Sequence, residues 1–228
     1  MRRIIAIDGP AGSGKSTTAR LVAERLRFLY LDTGAMYRAI TLKALEEGID
    51  LKNEEELEEL ALDSKIEFRK QNSNTQVFID GEDVTSKIRD PLIDRNVSLA
   101  SKHRKLREVL VGWQRQMGEK NDLVAEGRDT TTVVFPDALV KVYLDCDLKE
   151  RAKRRLLEFK QKGIPSTLKE QSRELSTRDK FDSGRKVSPL LQDRDAVVVD
   201  TTDLTIEQQV QKVIEVYQKI LKAYEKAL

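Results

Sequence analysis

Residues Gly9-Pro10-Ala11-Gly12-Ser13-Gly14-Lys15-Ser16 fit the pattern G-x-x-x-x-G-K-[ST] without a gap. Glycines at these spacings let successive backbone N–H groups turn inward and form a concavity that binds an anion. A helix that starts at the end of such a loop adds partial positive charge at the same place. Lys15 is then placed for the β- and γ-phosphates of a nucleoside triphosphate. Ser16 offers a hydroxyl to Mg²⁺, with Thr17 beside it. The loop by itself does not choose among kinases, GTPases, ATPase motors and non-catalytic nucleotide sensors. A guanine-reading N-K-x-D is absent, and so is a run of four apolar residues followed by Asp-Glu, the usual hydrolytic strand of a motor.

A second set of polar residues lies downstream. Asp32-Thr33-Gly34-Ala35-Met36-Tyr37-Arg38 follows one expected strand, and Glu126-Gly127-Arg128-Asp129 follows another. Ligands of open α/β sheets bind outside the carboxyl ends of the strands, so both segments can face the loop. Arg178, Asp182 and Arg185 are spaced by four and three, which gathers them on one helix face if the helix runs through Gly184. If Gly184 ends the helix, Arg185 arrives from a loop. Each residue alone has a plainer reading: Arg38 as a surface residue, Arg178 with Asp182 as an exposed ion pair worth little. Together they point to phosphoryl transfer onto an acceptor that itself carries phosphate, because the planar, permanently charged guanidinium suits a phosphate dianion.

Hydrophobic periodicity supplies the frame for these residues. Ile4–Ile7 is an unbroken apolar run, as in a central strand buried on both faces. A helix from Ser16 to Arg27 carries the stripe Ala19, Val22, Ala23, Leu26, and a strand at Phe28–Leu31 ends at Asp32. Leu123–Ala125, Val140–Leu144 and Ala196–Val199 read as further strands, the last as another buried run. Helical stripes lie between and after them: Leu106, Val109, Leu110, Trp113, Met117; then Leu148, Ala152, Leu156, Phe159. The last stripe runs Ile206, Val210, Val213, Ile214, Tyr217, Ile220, Leu221, Tyr224. Alternating βα units predict a parallel sheet with helices on both faces. Residues 64–90 depart from this rhythm. Strands at Lys65–Arg69 and Thr75–Asp80, the polar turn at residues 71–74 and the Asp80-Gly81 turn predict an inserted antiparallel hairpin lobe. Gln161–Thr167, with Gly163 and Pro165, reads as a flap before a capping box of Thr167 and Glu170.

Composition narrows the class of protein. The 228 residues hold 41 Lys and Arg against 39 Asp and Glu, a net charge of +2 with no global field for nucleic acid or an anionic membrane. Charged residues reach 35%, so the run Glu54–Glu59 reads as a solvated helix face. One cysteine, Cys146, excludes an intrachain disulfide and favours a reducing compartment. No apolar run approaches the ~18 residues of a membrane span, and Ile4–Ile7 is too short for the core of a signal peptide. The expectation is a cytoplasmic monomer. His103, the only histidine, reads as a surface residue, because no Cys or His partner exists for a metal site. Cys146 reads as a buried or half-buried thiol at a strand end, and Trp113 as core.

GPAGSGKST, DTGAMYR, EGRD-x-x-TVVFPDA, RDKFDSGRKVSPL and DAVVVDTT occur in this order. By these segments, from Ile4 to the final helix, the chain resembles the bacterial cytidylate kinases. That resemblance implies an α/β P-loop kinase fold with an inserted α+β nucleoside-monophosphate lobe and a short lid. Its parts would be a core at 1–36, the lobe at 37–106, core again at 107–153, the lid at 154–170 and core at 171–228. It implies ATP-dependent phosphorylation of CMP and dCMP to CDP and dCDP, assisted by Mg²⁺ held with Ser16, in pyrimidine nucleotide metabolism. Gly9 to Thr17 would bind the ATP phosphates, and Arg151, Arg154 and Arg155 the ATP under the lid; Lys153 in the same basic cluster reads equally well as solvated. Arg38, Arg128 and Arg185 would clamp the acceptor phosphate, with Thr33 nearby. Ser98, Arg107 and Asp129 would read cytosine, and Arg178 and Asp182 the sugar. Lys15, Arg128 and Arg185 would carry the catalytic charge. Where the family has an apolar residue and then Gly after GRD, this chain has Thr130 and Thr131. Two other readings stay open on the residues themselves: a P-loop kinase for another nucleotide or small metabolite, and a non-catalytic ATP-binding regulator.

Overall fold

The computed structural model describes residues 2–71 and 74–226. Five parallel strands form the central sheet: β1 (Ile4–Asp8), β2 (Leu29–Asp32), β6 (Leu123–Gly127), β7 (Val140–Asp145) and β8 (Val197–Asp200). Their order is β2-β6-β1-β7-β8, with β1 at the centre as its apolar run predicts. Alternation along β1 sends its side chains to two separate cores. Ile5 and Ile7 pack with Val124, Val140, Val142 and Leu144 against helices α1 (Lys15–Leu26) and α8 (Ile206–Lys226). Ala6 faces the other side, in a core shared with Leu31, Ala125 and the buried residues of α2 (Thr33–Glu46) and α5 (Arg104–Lys120).

That second core continues without a break into the inserted region. Leu57 and Leu60 of α3 (Glu54–Leu62) belong to it. So do Ile66 of β3 (Ile66–Gln71), Val77 and Ile79 of β4 (Asn74–Ile79), and Ile93 and Val97 of α4 (Pro91–Ala100). β3, β4 and the two-residue β5 (Glu82–Asp83) make a separate antiparallel sheet. Its β4–β5 turn is the expected Asp80-Gly81, with both residues at positive φ (51° and 86°). The predicted turn at residues 71–74 falls partly outside the described residues. Helix α6 (Leu148–Gln161) and helix α7 (Leu168–Gly184) pack on each other beyond β7, and the Thr167–Glu170 capping box opens α7.

Three expectations need correction. Ala196–Val199 is not a buried run: β8 is the sheet's edge, so Val197 and Val198 are 38% and 47% exposed and only Val199 is covered. Ile206 and Tyr224, at the two ends of the α8 stripe, are exposed because the core they flank does not reach that far. His103 is half-buried rather than free on the surface, and its ring nitrogen Nε2 lies 2.9 Å from the Leu51 carbonyl oxygen. Cys146 is buried just after β7, as expected.

Candidate active site

The loop between β1 and α1 takes its shape from close packing against β7. Gly9 has φ +151°, and a Cβ there would sit 2.2 Å from the Leu144 carbonyl oxygen, so no other residue fits. The amino end of α1 has no side-chain cap and no acidic residue in its first turn, leaving its N–H groups for an external anion. The Ser13 hydroxyl in the same loop is buried without a partner among the described residues. Lys15 Nζ donates to the Pro10 carbonyl at 2.7 Å. Burial first, and then the nearby Arg128, push the Lys15 ammonium down to about 7, against the pull of Glu126 and Asp8. A buried lysine whose charge is disfavoured in this way gains from a polyphosphate placed against it.

Two carboxylates at strand ends support this loop. Asp8 is fully buried and accepts four hydrogen bonds, from the N–H and hydroxyl of Thr130 (2.9 and 2.7 Å) and of Thr131 (2.7 and 2.6 Å). Two of these bonds come from backbone N–H groups, and the hydroxyls of Thr130 and Thr131 add the other two, clamping the aspartate at the foot of the phosphate loop. Glu126, at the end of β6, accepts from Ser16 Oγ at 2.6 Å. Burial and the neighbouring Asp32 push its carboxyl upward. Paired with the Ser16 hydroxyl, it forms an oxygen donor set of the kind Mg²⁺ takes. Among the described residues no group of three or more His, Cys, Asp or Glu side chains is arranged to hold a metal, so such an ion would need phosphate oxygens and water as well.

The arginines converge on the same cleft from several elements. Arg128 donates through Nε to Asp182 at 2.9 Å. Arg107 is buried, donating to Asp129 through Nη2 and to the Ser101 carbonyl at 3.0 Å, with its guanidinium over the Tyr37 ring. Helix α7 ends at Gly184, so Arg185 comes from the loop beyond it, the second of the two placements the spacing allows. Arg185 donates to the Ser188 carbonyl at 2.8 Å, and its Nε has no partner. Arg178 also has an unpartnered Nε; burial, then Arg128 and Arg38, push it down to about 10. Guanidiniums crowded to that extent make a pocket for an anion.

The structure redistributes several expected partners. Asp182 pairs with Arg128 rather than with Arg178, four residues before it on the same helix. Arg38, Arg155 and Arg178 all face Asp94 of α4. Thr33 is buried and donates to the Glu126 carbonyl at 2.8 Å, which ties the start of α2 to the end of β6. Ser98 is half-buried on α4, one turn beyond Asp94. The three arginines expected under the lid divide. Arg151 donates to the Ala11 and Cys146 carbonyls (3.1 and 3.0 Å) and to Asp179 at 2.7 Å, bracing the phosphate loop from behind. Arg154 donates to the Thr201 carbonyl at 2.6 Å. Arg155 donates to Asp94 and Glu158, and Lys153 is exposed and pairs with Glu150.

Glu126 and Asp94 are the residues that sequence reasoning missed. Glu126 had a usable signal, a carboxylate closing a parallel strand beside the phosphate loop. Asp94 had none, since an acid on a polar helix face looks like any solvated one.

Comparison with known proteins agrees with this geometry. A family model described as cytidylate kinase matches residues 5–219. A cytidylate kinase of Bacillus cereus is 49% identical over 213 residues, which span 93% of this chain and 94% of that protein. One of Bacillus thuringiensis is 50% identical over 211 residues, spanning 92% and 93%. An uncharacterised protein from Eubacterium ventriosum shares the fold, with TM-score 0.52 and 14% identity over 94% of this chain and 97% of its own.

Proposed function

The chain belongs to the cytidylate kinase family, and from that premise we propose how its residues divide the work of phosphorylating CMP. One observation carries the assignment: the loop that leads to Lys15 and the segment that holds Arg128 leave the carboxyl ends of adjacent parallel strands, β1 and β6. A triphosphate in the loop and a monophosphate among the arginines would meet there.

ATP is the donor and CMP or dCMP the acceptor in this reading. The loop of residues 9–17 holds the donor phosphates through its backbone N–H groups, Pro10 having none, and Lys15 reaches the group to be transferred. Arg38, Arg128 and Arg185 hold the acceptor phosphate, and Arg178 with Asp182 face the sugar. Asp129, fixed by Arg107, takes the cytosine amino group, with Ser98 beside it. An acceptor phosphate oxygen attacks the γ-phosphorus in line, the bond to the β,γ-bridging oxygen breaks, and ADP leaves. No side-chain nucleophile is required. Lys15, Arg128 and Arg185 offset charge on the oxygens around the phosphorus, and their fixed positions supply the catalysis. Mg²⁺, held by Ser16 and Glu126 together with phosphate oxygens, supplies further charge neutralisation when bound. Residues 37–106 serve as the acceptor lobe, and 154–170 as a lid that keeps water from taking the phosphoryl group.

A coupled ADP-release assay with CMP, dCMP, UMP, AMP and no acceptor tests the reading. CMP and dCMP should turn over far faster than AMP, with little ADP in the control. Turnover that favours another acceptor, or ADP release that ignores the acceptor, would overturn it.

A further inference from the structure

Asp94 stands where no part of the proposed reaction needs a carboxylate. It lies on α4, and three guanidiniums from three different helices close on it. Arg38 of α2 donates through Nε to Oδ1 at 3.3 Å. Arg178 of α7 brings Nη1 to 3.8 Å from the same oxygen. Arg155 of α6 donates to Oδ2. Burial alone would raise the Asp94 carboxyl, but Arg38, Arg155 and Arg178 reverse that and hold it at about 2, so it is an anion at neutral pH.

Guanidinium forks gathered around one small oxyanion are the arrangement a phosphate also requires. Two of these arginines are the ones assigned above to the acceptor nucleotide, and this inference rests on that assignment. The third, Arg155, belongs with Arg178 to the α6–α7 hairpin. We propose that Asp94 is an internal stand-in for the acceptor phosphate. It occupies Arg38, assigned above to the acceptor phosphate, and Arg178, assigned above to the sugar, and it ties the α6–α7 hairpin to α4 through Arg155 and Arg178, so an arriving nucleotide must take Arg38 and Arg178 from it. The carboxylate carries one negative charge and the acceptor phosphate close to two, so the exchange favours the nucleotide while weakening its net binding. Release of Arg155 on that exchange couples filling of the acceptor pocket to movement of the hairpin.

The neutral, near-isosteric Asp94→Asn tests this by calorimetric titration with CMP, cytidine and inorganic phosphate, each against the wild type. The variant should bind CMP about tenfold more tightly, one charge-assisted contact no longer opposed. Inorganic phosphate should shift the same way, and cytidine, which has no phosphate, should bind both proteins alike. Asp94→Ser repeats the series if the Asn variant does not fold. Unchanged or weaker CMP binding overturns the proposal, and so does an equal shift for CMP and cytidine, which would mean that Asp94 merely shapes the pocket. The inorganic phosphate arm stands apart from the nucleotide assignment. A wild type that fails to use CMP would refute the kinase reading and leave the Asp94 result interpretable.

Discussion

Lys15 offers a prediction that follows from its charge state. Without a bound nucleotide, burial and Arg128 lower its ammonium from 10.5 to about 7. At pH 8 only about one such lysine in ten is then protonated. A triphosphate placed against Lys15 restores the charged form, so binding must draw a proton from solvent. The expected uptake at pH 8 is about 0.9 proton per site, falling toward ~0.1 at pH 6, where the lysine is already charged. Because the bound state holds the extra proton, affinity should drop roughly tenfold per pH unit between about pH 8 and 10. The same shift affects folding. Between pH 7 and 10.5 the unfolded chain binds more protons than the folded one, so folded stability without ligand should rise with pH across that window. The assay is calorimetric binding of a non-hydrolysable Mg–triphosphate analogue in two buffers of different ionisation enthalpy. Lys15→Met, which keeps the length of the side chain, serves as the control and should show no uptake. Zero uptake by the wild type at pH 8, or equal uptake in the methionine variant, would refute the assignment of a depressed ammonium to Lys15.

Other substitutions separate roles that look alike in the sequence. Lys15→Ala should keep the fold but lower turnover by orders of magnitude; near-normal turnover in a folded variant removes the loop from the reaction. Losing any one of Arg38, Arg128 or Arg185 should cost about tenfold or more in acceptor efficiency, since hydrogen bonds to charged groups are worth roughly 1.5–3 kcal/mol; a smaller loss in steady-state assays argues against the clamp. Asp129→Asn should narrow the CMP-to-UMP efficiency ratio by roughly tenfold, because a carboxylate only accepts hydrogen bonds while an amide also donates; an unchanged ratio takes Asp129 out of base reading. Thr131→Val removes one of the two hydroxyls on buried Asp8 and should cost about 1–3 kcal/mol of stability in urea titration, with an unshifted midpoint counting against the clamp.

Much of this architecture is legible in the sequence, because local patterns follow the fold. The apolar run of β1, the glycine loop and the stripe of α1 each imply the next, and together they place the phosphate site. β8 was misread because a short valine run looks the same at a sheet's centre and at its edge; only its neighbours decide which. The basic cluster on α6 is legible in the sequence, but the partner of each of its members is not. Arg154 and Arg155 are adjacent, so they diverge by about 100° around the helix. One ends at Thr201 and the other at Asp94. Asp94 lay beyond sequence reasoning altogether, because its meaning depends on three arginines that are distant in the chain. Thr130 and Thr131 were visible as a departure, but their purpose emerged only with Asp8 between them.

A phosphate-bearing nucleoside is the proposed acceptor of the phosphoryl group. Phosphorus NMR of the purified protein with Mg–ATP and CMP reads this directly. The CDP and ADP resonances should grow together in equal amounts, with little inorganic phosphate, and cytidine in place of CMP should yield almost no product. Inorganic phosphate as the main new signal, or CMP formed from cytidine as fast as CDP from CMP, would contradict it.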